Sequence, residues 1–323
     1  DHTPPDAMIH AVQDSGMVGL GGAAFPTHVK MKPPPEHNLD TLVVNGCECE
    51  PYLTCDHRRM LEHTDMLLAG IRIMMRALGV QRCMIGIEDN KLDALAAIAA
   101  QLPDNGPVSV HAVQTKYPQG AEKMLIESLL GRRVPSGAFP SAVGVSVFNV
   151  STLTQIGELL PLGRGVIERV VTVSGSGVRQ PGNYLVPVGT PVRFLLQYAG
   201  ATERTQELIL GGPMMGMSVA SLDVPVTKAV SGMVLMEEAD ADLRERAVQP
   251  CIRCAWCVEA CPMHLNPSTL GLLASKREYA RMADEFHLND CFECGCCSYV
   301  CPANIPLVQY FRIAKAINRE QAA

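Results

Sequence analysis

The sequence predicts an α/β domain on a largely parallel sheet, then a small β-rich domain, then a helical domain that carries most of the cysteines. Three observations predict it. Short β-branched runs alternate with helices of ten or more residues over the first half, the signature of βαβ units. Near Glu168 the pattern changes to strands broken by Gly/Ser turns. Nine of the 13 cysteines fall after Gln249, and none lies between Ile85 and Pro250.

In chain order, Thr41–Asn45 is a strand, Arg58–Leu78 a helix ended by Gly79, and Cys83–Ile87 a strand. Lys91–Leu102 is a helix stopped by Pro103, Val108–Val113 a strand, Gly120–Leu130 a helix stopped by Gly131, and Ser146–Val150 a fourth strand. A strand then opens at Glu168. Thr190 and Pro191 read as the N-cap and first residue of a helix to Tyr198. Glu207–Leu210 is a further strand. The segment 218–249, with its charged run, reads as a connector, and a helical stretch from Pro267 to Glu285 separates two cysteine motifs. The implied domains are 1–167, 168–217, the connector 218–249, and 250–323.

With 323 residues, 47% apolar and 19% charged, the chain has material for two or three cores, and disorder is excluded over most of it. A net charge of −6 without a basic run argues against a nucleic-acid partner. The longest apolar stretch, Met66–Val80, is broken by Arg72 and Arg76 and is too short to span a membrane. No signal peptide is visible, so the thiols read as metal ligands rather than a disulfide framework.

Their spacing is specific. Cys251, Cys254, Cys257 and Cys261, the last followed by Pro262, form a C-x2-C-x2-C-x3-C-P motif. Cys291, Cys294, Cys297 and Cys301, followed by Pro302, repeat it. Three thiolates on a tight loop reach three irons of one [4Fe–4S] cubane, and in two-cluster proteins the fourth ligates the other cluster. Cys251, Cys254, Cys257 and Cys301 therefore form one ligand set, and Cys291, Cys294, Cys297 and Cys261 the other. A pair of zinc sites would also use C-x2-C but has no use for this pattern twice over. Cys296, inside the second motif, reads as a bystander.

Two other segments carry chemistry. Gly16, Gly19, Gly21 and Gly22 place four glycines in seven positions, which lets backbone N–H groups approach a phosphate. The loop precedes the first strand and does not meet the dinucleotide fingerprint. After that strand comes NGCECEP (Asn45–Pro51), where open α/β sheets bind ligands. Cys47, Cys49 and Cys55 read as free thiols, since no fourth metal ligand is evident.

The glycine loop and NGCECEP resemble the flavin-binding subunit of respiratory complex I. The likeness to the C-subunit family of the Rnf electron-transport complex is closer. It runs through KYPQGAEK (116–123), GRRVPSGAFP (131–140), GGPMMG (211–216), both cysteine motifs and IPLVQYFRIAK (305–315), and covers nearly the whole chain. The resemblance implies a Rossmann-like FMN/NADH domain, a small β-grasp (SLBB-like) domain and an α-helical two-cluster ferredoxin domain.

It further implies FMN against Gly19, Gly21, Gly22, Lys30, Asn45, Glu48, Tyr117, Gly120, Asn149 and Thr152, with Phe25 and Glu122 on the NADH side. Ala24 stands where the family usually has Gly, and Cys47 and Ala121 replace residues acidic in complex I. The implied activity is electron transfer between NAD(H), FMN and two [4Fe–4S] clusters within an ion-translocating ferredoxin:NAD+ oxidoreductase. Its partners would be membrane subunits, an iron–sulfur subunit and, indirectly, ferredoxin, with the chain peripheral on the cytoplasmic side of the membrane. No separate catalytic residue is implied. The family also has a domain before the glycine loop, so the sequence is expected to be a fragment. Two alternatives stay open: a microcompartment cobalamin reductase, and a non-enzymatic iron–sulfur relay.

Overall fold

A computed structural model describes residues 3–237 and 247–322. The described residues fall in two compact units, one ending at Glu237 and one in the C-terminal segment, and each is described by itself.

The first unit opens with α1 (Pro5–Asp14), the glycine loop and α2 (Thr27–Lys30). Then follow β1 (Thr41–Gly46), α3 (Cys55–Glu62), α4 (Thr64–Leu78), β2 (Arg82–Glu88) and α5 (Leu92–Ala99). β3 (Val108–Val113), α6 (Glu122–Leu130), β4 (Val145–Asn149) and α7 (Val150–Leu159) complete the domain. The four strands form one parallel sheet in the order β3-β2-β1-β4. Alternation along β1 sends Leu42 and Val44 into a core under α1, α4 and α7, and Val43 into a second core with Leu125 and Ile126 of α6. Helices thus cover both faces.

The expected single helix Arg58–Leu78 is two, because the backbone leaves helical geometry at His63 (φ −133°, ψ 39°). α4 ends as read, with Gly79 in the left-handed conformation. α4 and α7 cross where glycines face each other's backbone: a Cβ on Gly70 would lie 1.8 Å from Leu153 O, and one on Gly157 2.0 Å from Met66 O. Gly70→Ala or Gly157→Ala must therefore push the helices apart. We expect a loss of about 1–3 kcal/mol or more, measured as a lowered denaturation midpoint of this unit.

β5 (Glu168–Ser174), β6 (Gly182–Pro187), α8 (Val192–Ala199), β7 (Thr205–Leu210), β8 (Met217–Ser218) and β9 (Gly232–Glu237) build the second domain of this unit. Their sheet runs β6-β5-β9-β7-β8, with β9 parallel to β5 and antiparallel to β7. First and last strands side by side at the centre, with α8 packed beneath, give the β-grasp arrangement. This corrects the expected connector 218–249. Gly232–Glu237 is a buried central strand, so the sheet does not end at 217; residues 238–246 of the expected connector lie outside the described residues. The expected N-cap Thr190 is also displaced by one: Pro191 is the cap residue, and the Thr190 hydroxyl donates to Pro187 O.

The second unit contains short helices Trp256–Glu259 and Cys296–Tyr299 inside the two motifs, with Pro267–Ser275 and Tyr279–Asp284 between them and Leu307–Ala322 after. The expected continuous helix Pro267–Glu285 is interrupted, with Arg277 left-handed. Its core is Leu270, Leu273, Met282, Leu288, Leu307 and Phe311, among others.

Candidate functional site

The two motifs repeat at an interval of 40 residues, and so does their backbone. Arg253, Ala255 and His264 have positive φ in the first, and Glu293, Gly295 and Asn304 in the second. Five of these six carry side chains in a conformation that side chains disfavour. Runs mixing left- and right-handed residues turn successive N–H groups toward one concavity, the geometry that holds anionic groups. Glu293 N–H points to Cys291 Sγ at 3.4 Å.

Each motif lines its own cavity. One is lined by Cys291, Cys294, Cys296 and Cys297 and, from the other motif, Cys261. The other is lined by Cys251, Cys254, Cys257 and, across the repeat, Cys301. Three thiols from one loop and the fourth from its partner loop is the arrangement the spacing predicts, and four thiols around a cavity fit a cubane. The surroundings differ. Cys294 and Cys297 are buried, whereas Cys251 and Cys254 are exposed. Lys315 donates to Glu293 at 3.0 Å and to Cys291 O, and Arg312 Nε donates to Glu293 at 3.1 Å, so two cations flank the Cys291 loop.

In the first unit the chain turns back on itself at β1. It winds from β1 outward to β2 and β3, then returns to place β4 on β1's other side. The crevice outside the carboxyl ends of β1 and β4 is this topological switch point, where open α/β sheets bind ligands. Asn149 ends β4 and stands in register with Asn45, the last residue but one of β1.

The glycine loop closes over this edge. Gly19 N–H donates to Phe25 O at 2.8 Å and Ala24 N–H to Gly19 O at 3.1 Å, which pins both ends of a tight turn. Leu20 N–H donates to Thr152 Oγ1 at 2.9 Å, and Gly21 faces Asn149. Gly22 (φ 106°) has no atom within 4 Å of where its Cβ would stand, so the loop's outer edge is open to a ligand. Asn45 Nδ2 donates to Gly120 O at 2.7 Å. Gly120 itself must be glycine, since a Cβ there would lie 2.6 Å from Cys47 O. Lys30 pairs with Glu122, and its ammonium lies 5.3 Å from the Phe148 ring centroid. The expected flavin residues on the glycine loop, β1, β4, α7 and the β3–α6 loop, where Tyr117 sits, therefore converge. An open glycine turn at a switch point, with asparagines at both strand ends, fits a phosphate-bearing planar ligand.

Glu48, an expected flavin contact, also has a structural role. Its carboxylate accepts from Asp56 N at 2.9 Å and His57 N at 3.1 Å, so it caps α3. Asn149 is likewise the N-cap of α7: its Oδ1 accepts from Ser151 N and Thr152 N, and its Nδ2 donates to Asp56 at 2.6 Å. Glu48, Cys55 and Asp56 bring ligand-type atoms within 4.8 Å of one another. Asp56 is held by Asn149 and Ser151, and Cys55 lies within hydrogen-bond reach of Glu48 and Thr172. The cluster is thus knitted into the protein's own bonds. Cys47, Cys49 and Cys55 are held protonated by burial, with Cys49 pushed up to about 11.

Burial, then the Asp56 charge, pushes the Glu48 carboxyl up to about 7, and burial raises Asp56 too. A carboxyl raised in the folded state binds more protons there than in the unfolded chain, so stability falls as pH rises from about 4.5 to about 7. We expect the thermal midpoint of this unit to drop by a few degrees across that window. Asp56→Asn should flatten the dependence, as read by circular dichroism melts at stepped pH.

Sequence reasoning missed the residues that tie the β-grasp domain to the glycine loop. Buried Arg169 on β5 donates to Leu20 O at 3.2 Å and to Lys228 O, and Lys228 Nζ donates to Gly16 O at 2.6 Å. In the other direction Glu50 accepts from Met214 N at 3.1 Å and Met215 N at 2.7 Å, gripping the GGPMMG loop. A lone Arg, Lys or Glu in a strand or loop gave no signal, since each partner lies 149 or more residues away except for Arg169 and Lys228 themselves.

Comparison with known proteins agrees with this organisation. Residues 12–158 match the Nuo51 FMN-binding domain, 170–218 the SLBB domain and 247–305 the 4Fe-4S dicluster domain. Among solved structures, NAD+-reducing [NiFe]-hydrogenase in the air-oxidised state matches over 86% of this chain and 54% of that one (TM-score 0.64, 20% identity). The H2-reduced state matches over 97% and 65% (TM-score 0.65, 20% identity). At that identity the likeness shows the fold alone.

The chain is 45% identical, over 97% of its length, to the C subunit of the proton-translocating ferredoxin:NAD(+) oxidoreductase complex of Clostridium ljungdahlii, of which it spans 68%. It is 42% identical over 97% of its length to the C subunit of the ion-translocating oxidoreductase complex of Haemophilus influenzae strain 86-028NP, spanning 47% of it. It is 40% identical over 82% of its length to the C subunit of the Na(+)-translocating ferredoxin:NAD(+) oxidoreductase complex of Acetobacterium woodii, spanning 60% of it. On the cysteine cavities, the switch-point crevice and this identity, the chain belongs to the C-subunit family of ion-translocating oxidoreductase complexes.

Proposed function

We propose that the chain is the nucleotide-side electron-transfer subunit of a ferredoxin:NAD+ oxidoreductase complex, exchanging electrons between NAD(H), FMN and two [4Fe–4S] clusters. The observation that carries this reading is the presence, in one chain, of a switch-point crevice under an open glycine turn and of two four-thiol cavities with crossed fourth ligands. Bound FMN supplies the chemistry that links a two-electron nicotinamide to one-electron clusters. The protein's own share is to bind, orient and exclude water. Gly19 and Gly21 shape the tight turn, Gly22 offers its open edge to the phosphate, and Lys30 a charge. Asn45 and Gly120 hold two loops together along one edge of the crevice, and Asn149 and Thr152 fix α7 and the glycine loop along the other. Glu48, a flavin contact by resemblance, also fixes α3.

Phe25, 51% exposed after the glycine loop, and Glu122, which opens α6 and pairs with Lys30, are assigned to the nicotinamide side. Phe25→Ala and Glu122→Ala are each expected to raise KM for NADH several-fold with bound FMN unchanged, in an assay with an artificial acceptor. The complex's other subunits would be the electron partners, including an iron–sulfur subunit with ferredoxin beyond it. No helix among the described residues is long and apolar enough to cross a membrane. As a subunit of such a complex, the chain is assigned to its periphery, on the cytoplasmic side, where NAD(H) is met. Cofactor content tests the reading: denatured chain should release FMN and about eight irons. Irons without flavin would leave only a relay.

A further inference from the structure

We propose that Arg169 and Lys228 of the β-grasp domain are positioning residues for the FMN phosphate: they hold two carbonyls of the glycine loop, so that its amide N–H groups are left facing the anion. The inference rests on the reading of the glycine loop as the phosphate site.

The backbone at Leu20 is fixed from two directions. Leu20 N–H donates to Thr152 Oγ1 of α7 at 2.9 Å, and Leu20 O accepts from Arg169 Nη2 at 3.2 Å. Across a trans peptide the carbonyl and the following N–H point opposite ways, so the Gly21 N–H is turned away from Arg169. Leu20 is buried, whereas Gly21, Gly22 and Ala23 are exposed, and the N–H groups of those three have no hydrogen-bond partner among the described residues. Successive free N–H groups on one turn form the kind of concavity that binds anions. Lys228 Nζ holds the start of the loop in the same way, through Gly16 O at 2.6 Å.

Arg169 brings more than donors. It is 2% exposed, and its guanidinium donates to Leu20 O, Lys228 O and Val170 O without an ion pair among the described residues. Burying a cation in this way costs desolvation that a neutral donor would avoid. The Asp56 carboxylate attracts it from beyond ion-pair distance but is itself bonded by Asn149 and Ser151. A phosphate on the loop would be drawn toward the same guanidinium, because charges are poorly screened in an interior of low dielectric.

The test is titration of the full chain, with iron and sulfide in place and flavin removed, with FMN and separately with riboflavin. Both are followed by quenching of flavin fluorescence, and riboflavin carries the same ring and ribityl chain without the phosphate. Arg169→Met and Lys228→Met should each weaken FMN binding about tenfold or more and leave riboflavin binding within about twofold of the parent chain. Unchanged FMN affinity in either variant would overturn the inference. So would equal losses for FMN and riboflavin, the mark of a merely loosened fold. Should Arg169→Met not fold, Lys228→Met decides by itself, since the half-buried Lys228 ammonium holds only the loop. A parent chain that binds FMN no more tightly than riboflavin would instead sink the reading of the glycine loop as a phosphate site.

Discussion

Replacing Cys261 with Ala should halve the iron, from about eight to about four per chain, and the cluster lost should be the one its own motif does not hold. Cys261 belongs by sequence to the first motif, yet it lines the cavity of Cys291, Cys294 and Cys297. A double variant separates the two possibilities. If fourth ligands cross, Cys257→Ala/Cys261→Ala breaks both clusters and leaves almost no iron. If ligands follow sequence order, the same pair breaks one cluster and about four irons remain. Cys261→Ala/Cys297→Ala gives the mirror result, with one cluster surviving in the crossed arrangement. Iron and acid-labile sulfide assays on the same preparations read both outcomes.

The second large effect is expected at Gly120. Its Cβ would sit 2.6 Å from the Cys47 carbonyl, a backbone atom that cannot swing aside as a side chain could. Gly120→Ala must therefore part the β3–α6 loop from the segment after β1 and stretch the Asn45–Gly120 bond. Overpacking of this kind costs about 1–3 kcal/mol. Where that cost falls on the flavin-binding conformation, FMN affinity drops by about five- to a hundredfold. Titration of apo-protein with FMN, followed by quenching of flavin fluorescence, measures it. The cluster content of the variant should stay at the parent value, because the cysteine motifs lie in the other unit.

What the sequence revealed tracks how local the signal was. The cysteine motifs, and β1 to β4 to within a residue at each end, were legible because spacing, β-branching and glycine stops act over a few residues. The grouping of thiols around the two cavities, three from one motif and one from the other, follows the spacing of the repeat as well. β9 was not, since Gly232–Glu237 is a short buried run whose partners, Thr172 to Ser174 and Thr205 to Leu210, lie tens of residues earlier. The clasp between the two domains was equally silent. Arg169 reads as one more charge in a strand until Leu20 O and Lys228 O are seen beside it. Glu48, which the family resemblance sets against the flavin, also caps α3 eight residues on, a bond that no local signal announces.

The central claim is that electrons from NADH reach clusters held by this chain through FMN bound at the β1/β4 crevice. The direct measurement is to add NADH anaerobically to the full chain, loaded with FMN, iron and sulfide, and record electron paramagnetic resonance spectra. The account predicts signals of reduced [4Fe–4S] clusters that require FMN and disappear in Gly120→Ala when FMN is not in excess. Clusters that dithionite reduces but NADH leaves untouched, in protein carrying its full complement of FMN, would contradict it.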